Sequence, residues 1–518
     1  MAGEDPEFGA YTSNSKEIDS ITYFAPNFLS VWSSGNECEH DGIVGTDLVY
    51  RVLEDANNDG VNDISTLVHP QDSGDPLPGA TKIPDLDGGE LLNIPGPGFD
   101  TIRSTGCAKN NITVGNIKDI PGGVQNSSDI EIWNSSSRGP TDDGRVKPDL
   151  VANGEFVQTT DSSSQSNTSA TTRVTGTSLS APCITGTLRL LHQLNEDAGR
   201  SPLLASTWKA LLLNTAVDAT DLPDYIGTQA AAANLIGPDY FYGWGVCDAE
   251  SAAELLDLNI KSSFENHLCE HMLYDGKTIE IPICYDGQSS EMRVMICWTD
   301  VPYQTETIGN VNSEVMDPES GPADIDTIRL INDLDLVVRA PDGTVHEPWV
   351  LDPENPMNAA TVGNNDRDNV EQVIIPTPQD GNYTVCISHK GSLKRMTVAL
   401  DDPLVQDGAF ILTDNAEQAV SICITGNKDP NPILPRLRIH NMREVNSGAA
   451  IPWYLVDLRF DGFLGVRYQL QVSSDLENWV DQNDPFDAVQ QDQTIYPVLI
   501  RSSEARNYIR ARAISPND

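Results

Sequence analysis

Residues 176–182 read Gly-Thr-Ser-Leu-Ser-Ala-Pro, and they open a segment with helical spacing that runs to about Asn195. The apolar residues that share one face of this segment are Ile184, Leu188, Leu191 and Leu194. A serine in the turn that begins a helix lies where backbone N–H groups point outward and the helix dipole favours negative charge. Because such a position can stabilise an oxyanion, Ser178 is a candidate nucleophile.

Apolar runs before and after this helix predict a parallel sheet. Residues 28–33, 111–117 and 149–152 are short and apolar, as buried strands are, and residues 205–216 read as a second helix. Strands that alternate with helices indicate an α/β fold over residues 1–260.

Beyond residue 260 the pattern changes to alternating strands separated by Gly, Asp and Pro turns. The clearest of these strands begin at Ile279, Met292, Asp333 and Tyr383. We predict a β-sandwich of the jelly-roll type over residues 261–427, followed by a small fibronectin-like or immunoglobulin-like sandwich over residues 428–518. The fold class predicted for the whole chain is therefore α/β followed by two all-β sandwich domains.

The chain is strongly acidic, with 77 Asp and Glu residues against 32 Lys and Arg and a formal net charge of −45. Such a field repels phosphate backbones and anionic lipids, so we expect no nucleic-acid partner and no binding to a membrane surface. No apolar stretch has the length of a membrane span, and the first residues lack the pattern of a signal peptide. The nine cysteines include no Cys-x-x-Cys pair, which argues against a zinc site or a redox motif.

Acyl transfer by a serine requires a nucleophile, a base, a group that orients the base, and donors for the oxyanion. Asn36 follows an apolar run and the residues Ser33, Ser34 and Gly35, and its side-chain amide is a candidate oxyanion donor for Ser178. Each signal alone is weak, because Gly-Thr-Ser is commonly a turn and an asparagine after a strand is commonly a helix cap. The combination of the two favours a catalytic site.

Five ordered blocks of sequence resemble those of the subtilisin-like serine proteases, the subtilases. Residues 176–182 resemble the family's nucleophile motif, and residues 33–36 resemble its oxyanion segment. The other three blocks are residues 108–115, 136–149 and 242–245. The resemblance covers most of residues 8–260, and the predicted sandwich resembles the C-terminal β-domain of large secreted bacterial alkaline subtilases.

This resemblance implies a serine endopeptidase that is extracellular or at the cell surface and acts on proteins or peptides. It implies that Ser178 attacks the scissile carbonyl and that the Asn36 amide and the Ser178 N–H stabilise the oxyanion. By the same resemblance, Ser33, Ser34 and Gly35 line the substrate cleft.

The sequence departs from the family in the other two members of its catalytic triad. In subtilases the Asp and His precede the oxyanion Asn, each in a Gly-rich motif, but no histidine and neither motif precedes Asn36 here. His40 and His69 lie in an insertion after Asn36 and match no family position. We therefore expect this chain to be inactive by itself, with a missing N-terminal segment as a partner. We also expect residues 1–260 alone to be poorly stable, because loss of that segment's strands would leave an open sheet edge.

Two sets of oxygen-bearing residues are candidate ligands for structural Ca²⁺. Residues 55–63 form a polar stretch with Gly60 in the middle, a spacing that suits a calcium loop and that a plain polar turn explains equally well. The second set lies in the predicted sandwich, where the resembling proteases bind calcium; an acidic strand face is the alternative. The candidate ligands are Asp55, Asn57, Asp59 and Asp63 in the loop, and Asp333, Asp335, Asp368 and Glu371 in the sandwich.

Two functional hypotheses follow from the sequence. The first is a subtilisin-like endopeptidase that lacks its base in this chain. The second is a non-catalytic surface or adhesion scaffold that carries a subtilase remnant. Labelling of Ser178 by a fluorophosphonate distinguishes them.

Overall fold

The computed structural model describes residues 8–38, 50–54, 64–68, 99–161, 169–220, 235–261, 267–285, 291–303, 327–398 and 410–426, together with six strands between residues 436 and 514. Within these residues there are four α-helices and twenty-five strands. The helices are α1 (Ser13–Phe24), α2 (Thr177–Asp197), α3 (Ala205–Thr215) and α4 (Ala249–Lys261).

The candidate nucleophile belongs to a three-stranded parallel sheet and the helix that covers it. The sheet has the order β1 (Val31–Ser33), β4 (Ile112–Ile117) and β5 (Leu150–Asn153). Every residue of β4 is buried, as expected of a central strand that is covered on both faces. α2 contacts all three strands, and its apolar face of Ile184, Leu188 and Leu191 is buried. These elements confirm the strands predicted at 111–117 and 149–152; the strand predicted over residues 28–33 covers only Val31–Ser33.

β1 lies at an edge of this sheet. Among the described strands it pairs only with β4, through Val31 to Ser33 opposite Ile112 to Val114. Phe28 is 52% exposed and Trp32 is 36% exposed, so large aromatic side chains face solvent beside an open edge. An edge of this kind can pair with a further strand. The poor stability expected of residues 1–260 alone stays a prediction.

Two four-stranded antiparallel sheets follow the helices, and their inward residues belong to one apolar core. The first sheet has the order β15 (Val370–Ile375), β10 (Met292–Trp298), β19 (Glu417–Thr425) and β8 (Leu268–Tyr274). The second has the order β12 (Val345–His346), β11 (Leu334–Arg339), β16 (Gly381–His389) and β9 (Ile279–Tyr285).

The remaining strands form hairpins and two three-stranded sheets. The hairpins pair β2 (Tyr50–Glu54) with β3 (Ile64–Val68), β6 (Val157–Thr160) with β7 (Thr171–Val174), β13 (Trp349–Val350) with β14 (Thr361–Val362), and β17 (Arg395–Val398) with β18 (Phe410–Thr413). One three-stranded sheet has the order β20 (Arg436–Glu444), β21 (Trp453–Asp461), β24 (Gln493–Arg501), and the other β23 (Val480–Asp487), β22 (Arg467–Ser473), β25 (Tyr508–Ile514).

Helix α3 joins the parallel sheet's helices to the antiparallel sheets. All of its residues from Ala205 to Asn214 are buried, and it contacts α4 on one side and β8, β10 and β19 on the other. The sequence of β10 is nearly continuous in apolar residues because one face of the strand lies in the core between the two sheets and the other lies against this helix. The site-bearing part and the first antiparallel sheet therefore share an apolar core.

Buried polar side chains also join the part of the chain that carries the site to the first antiparallel sheet. The Lys109 ammonium lies 2.5 Å from Asp300 Oδ2 and also donates to the Val301 and Arg329 carbonyls, at 2.6 and 2.8 Å. Both charged side chains have no exposed surface. Asn110 adds two hydrogen bonds with the Asp300 backbone, each 2.8 Å long. These contacts fix how the loop before β4 meets the chain after β10.

None of the described helices combines the length and the apolar character that a bilayer-crossing helix needs.

We predict that Lys109→Met lowers the free energy of unfolding by about 3–5 kcal/mol, because the variant leaves the Asp300 carboxylate buried without its countercharge. Denaturant unfolding measures the change. Arg189→Met is the matched control, since Arg189 pairs with Glu196 in an ion pair whose side chains are 63% and 62% exposed. Its loss is expected to change the unfolding free energy by less than about 1 kcal/mol. Equal effects of the two substitutions would contradict the prediction.

A second prediction concerns His271, which points into the core from β8. Burial lowers the pKa of its imidazole to about 4. The unfolded chain takes up this proton near pH 6.5 and the folded chain does not, so the stabilisation is present above pH 6.5 and is lost as the pH falls towards 4. Its full size is about 3 kcal/mol. Unfolding free energies at about pH 7 and pH 5 should therefore differ less in His271→Leu than in the wild type; an unchanged difference refutes the prediction.

Candidate active site

The N-terminus of α2 is capped by a residue that is distant in sequence. Gly176 precedes the helix with a φ of +154° and has no side chain to cap it. Instead, Asn36 Oδ1 accepts hydrogen bonds from the Thr177 N–H, at 2.9 Å, and from the Thr177 hydroxyl, at 3.1 Å. The loop after β1 is thus attached to the residue immediately before Ser178.

These contacts fix the orientation of the Asn36 amide. A backbone N–H can only donate, so the atom that faces Thr177 must be the oxygen of the carboxamide. The Nδ2 group, which carries two donor hydrogens, is consequently turned away from Thr177. Asn36 and Ser178 are both exposed. The structure therefore brings the predicted nucleophile and the predicted oxyanion donor to one solvent-accessible place.

The other predicted cleft residues lie between β1 and this cap. Ser33 ends β1, and the buried Ser34 donates its N–H to the Val114 carbonyl at 2.9 Å. The Gly35 N–H donates to Thr177 Oγ1 at 3.3 Å, and the Thr177 hydroxyl lies 3.1 Å from the Gly35 carbonyl. Thr177 therefore holds both the loop and the Asn36 side chain, a role that the sequence did not reveal.

The chain around Gly154 packs closely against the turn that precedes Ser178. A Cβ at Gly154 would lie 2.4 Å from Ser180 Oγ and 2.5 Å from the Gly176 carbonyl oxygen. The Gly176 N–H donates to the Gly154 carbonyl at 3.0 Å. Only a residue without a side chain permits this approach, so Gly154 sets the position of the turn that carries Ser178.

Buried charged side chains at the starts of β4 and β5 fix the strands that carry these loops. Asp149 Oδ2 accepts from Lys147 at 2.5 Å and from the Thr113 N–H at 2.7 Å, while Oδ1 lies 2.7 Å from Lys209. Burial acts to raise the pKa of Asp149, but the two ammonium groups outweigh it and hold that pKa below its usual value. Burial lowers the pKa of Lys147 to about 8, although the negative charge of Asp149 acts to raise it. These groups are inaccessible to a substrate, and their role is structural.

The described histidines do not provide a base for Ser178. His192 lies on the same helix about 21 Å further along its axis, stacked on Trp208 at 4.2 Å. His267 contacts the Ile424 carbonyl at 3.1 Å, and His389 accepts from the Gly276 N–H at 2.7 Å. His271 is in the sheet core, and His346 is on β12. His40, His69 and the side chain of His440 lie outside the described residues.

The candidate calcium ligands divide into two groups. Asp55, Asn57, Asp59 and Asp63 lie outside the described residues. In the second group, the Lys390 ammonium lies 3.1 Å from Asp333 and 2.7 Å from Asp335. Glu371 accepts a hydrogen bond from the Leu336 N–H at 2.6 Å. Burial raises the pKa of its carboxyl group, and the negative charges of Asp335 and Asp333 raise it further.

Asp368 lies apart from that group. It accepts from the Val146 N–H at 2.8 Å and from Asn365 at 3.1 Å. No set of three or more His, Cys, Asp or Glu side chains in the described part of the chain is arranged to share a metal ion. Lys390 supplies positive charge at Asp333 and Asp335, and a calcium ion at these residues stays a prediction.

A known family of proteins matches the part of the chain that contains these residues. Residues 2–245 match the family described as the Subtilase family. This match covers just under half of the chain, so residues 2–245 are similar to a subtilase-family serine protease domain. The matching part includes Ser178 and Asn36.

The relatives are much longer than the matching region. The "Serine protease/ABC transporter B family protein tagD" of Dictyostelium discoideum is 24% identical over 282 residues, which are 46% of this chain and 15% of that protein. The "Subtilisin-like protease SBT3.4" of Arabidopsis thaliana is 28% identical over 197 residues, which are 35% of this chain and 23% of that protein. The chain thus spans less than a quarter of the length of either relative.

Solved structures give weaker overlaps. The self-cleaved protease domain of PatA shares 15% identity at a TM-score of 0.27, over 50% of this chain and 59% of that one. A lanthipeptide protease shares 18% identity at a TM-score of 0.25, over 47% of this chain and 54% of that one.

We predict that Gly154→Ala displaces the turn before Ser178 and destabilises the protein by about 1–3 kcal/mol, because the added methyl group overlaps the Gly176 carbonyl and Ser180. Gly186→Ala in α2 is the matched control. A Cβ there meets nothing within 4 Å, so this change should stabilise the helix by up to about 1 kcal/mol. Thermal unfolding of the two variants checks the opposite signs, and a Gly154→Ala variant as stable as the wild type would disprove the close approach.

Proposed function

We propose that this chain is the nucleophile-bearing part of a subtilisin-like serine endopeptidase, which hydrolyses peptide bonds through an acyl-enzyme. The contact of Asn36 with Thr177 supports this proposal most directly, because it places an oriented carboxamide beside a serine at a helix N-terminus. The subtilase-family match over residues 2–245 supports it independently.

In the proposed reaction Ser178 Oγ attacks the carbonyl carbon of the substrate and loses its proton to a base. The resulting oxyanion accepts hydrogen bonds from Asn36 Nδ2 and from the Ser178 N–H, which belongs to the first turn of α2 and lacks an intrahelical acceptor. The carbon–nitrogen bond then breaks, and the leaving amine takes the proton from the base. Water attacks the acyl-enzyme by the same route in reverse, which releases the acid and restores Ser178.

The base must come from outside the described residues, since none of the described histidines is hydrogen-bonded to Ser178. We propose that it is carried by polypeptide that completes the parallel sheet at the open edge of β1. The substrate would then lie along Ser33, Ser34 and Gly35, between that polypeptide and α2. Such a polypeptide would explain both the open edge of β1 and the lack of a histidine hydrogen-bonded to Ser178 among the described residues.

We further propose the substrates, the location, the domains and a calcium site of this protein. The substrates are proteins or peptides, and the site of action is extracellular or at the cell surface. The domains span residues 1–260, 261–427 and 428–518, the latter two as β-sandwiches. Structural Ca²⁺ is proposed at residues 55–63, where added chelator should increase proteolysis if the ion is bound.

We predict that a fluorophosphonate labels the full chain slowly at Ser178, because the oxyanion donors act there without the base, and that Ser178→Ala abolishes the labelling. Asn36→Ala should slow it by about 10²–10³, the cost of removing one side-chain oxyanion donor. Asn27→Ala is the control: Asn27 is also exposed and makes one hydrogen bond, to the Leu203 carbonyl at 2.9 Å, so its loss should leave the rate unchanged. Mass spectrometry of the labelled peptide locates the adduct.

A folded chain in which Ser178 is not labelled even after prolonged exposure to the fluorophosphonate would refute the enzymatic proposal. That result would favour the second candidate, a surface or adhesion scaffold, which is consistent with the lack of a base among the described residues.

A further inference from the structure

We propose that Glu37 is a positioning residue that holds the backbone of Asn36 in place for oxyanion binding. This inference rests on the proposed endopeptidase function, and it assigns a role to a side chain that does not itself touch the reacting atoms. Glu37 follows Asn36 directly, and its carboxylate turns back onto the loop that it ends.

The carboxylate of Glu37 joins three parts of the chain. Its Oε2 accepts from the Asn36 N–H at 2.5 Å and from the Ser137 hydroxyl at 3.2 Å. Its Oε1 accepts from Arg103 Nε at 2.9 Å and also from Arg103 Nη2. The Glu37 N–H in turn donates to Ser137 Oγ at 3.1 Å. The loop is thereby attached to residues that are 66 and 100 positions away in sequence.

The backbone before Asn36 is shaped around this carboxylate. Gly35 has a φ of +118°, in the region that favours glycine, and its carbonyl accepts from the Ser137 N–H at 3.0 Å. A Cβ at Gly35 would lie 2.4 Å from Glu37 Oε2 and 2.6 Å from Ser137 Oγ. A residue without a side chain at position 35 therefore leaves room for the carboxylate of Glu37 on the inner side of the turn.

Two sets of contacts thus divide the positioning of Asn36. Thr177 holds the side-chain oxygen, and Glu37 holds the backbone N–H of the same residue. With only the Thr177 contact, the carboxamide could pivot about its oxygen and carry Nδ2 away from the oxyanion. Because a misplacement of about 1 Å can cost about a hundredfold in rate, the second anchor has a functional consequence.

The negative charge of Glu37 is balanced by its partner Arg103. A carboxylate next to an oxyanion site would oppose the negative charge that develops there. Arg103 offsets this charge from the solvent side, since its side chain is 62% exposed while that of Glu37 is 17% exposed. The pair therefore provides an anchor for the loop with little net field at the site.

The test compares single and double variants of the full chain by the rate of fluorophosphonate labelling at Ser178. Glu37→Ala should slow labelling by about tenfold or more, whereas Glu37→Gln, which keeps an acceptor for the Asn36 N–H, should retain more of the rate. If Glu37 acts through Asn36, Glu37→Ala should have no further effect in the Asn36→Ala background. Glu131→Ala removes a comparable half-buried carboxylate, paired with Lys118, and should leave the rate unchanged.

Hydrogen exchange of peptides spanning residues 34–38 provides a readout that does not depend on the base. Glu37→Ala should accelerate exchange there and leave the interior of α2 unchanged. Equal exchange in variant and wild type, or an additive loss of rate in the double variant, would overturn the positioning role. Absence of labelling in the wild type would count against the proposed function, and the exchange result would then decide the role of Glu37 by itself.

Discussion

The hydrogen bond from the Thr177 N–H to Asn36 Oδ1 connects two segments that are 141 residues apart in sequence. It satisfies a backbone donor at the start of α2 that Gly176 has no side chain to cap, so it stabilises the helix that covers the parallel sheet. The same bond turns the oxygen of the Asn36 amide towards Thr177 and thereby the donor Nδ2 away from it. One contact therefore serves as a structural cap and orients a candidate catalytic group, which is why the two interpretations of Asn36 are compatible.

The surroundings of this contact depend on the rest of the chain. The starts of β4 and β5 are fixed by the ion pairs of Asp149 with Lys147 and Lys209. Lys209 belongs to α3, which lies against β8, β10 and β19 of the first antiparallel sheet. Lys109 and Asp300 join the two parts through charges that have no access to water. Burying such a pair is costly unless its geometry is complete, so these contacts specify one arrangement of the two parts rather than merely adding stability.

Much of the fold was predictable, and the failures have identifiable causes. The helix after Ser178 and the strands at 111–117 and 149–152 were found because their apolar residues follow a clear period or form a clear run. The first strand was predicted too long, since Phe28 is apolar but exposed beside an open edge. The ion pairs of Lys390 with Asp333 and Asp335 were not predictable, because Lys390 lies more than fifty positions away in sequence. Calcium at these aspartates stays a prediction.

By itself, the sequence determined the classes of element, the serine at a helix N-terminus and the candidate asparagine, because these follow from local periodicity and residue chemistry. Only the tertiary structure decided that Asn36 contacts Thr177, that Glu37 and Arg103 anchor its loop, and that Gly154 sets the turn before Ser178. The physical reason is distance along the chain: apart from the contact of Glu37 with the adjacent Asn36, these contacts join residues 22 to 141 positions apart. No local pattern encodes which of many polar side chains will meet once the sheet and helices have packed.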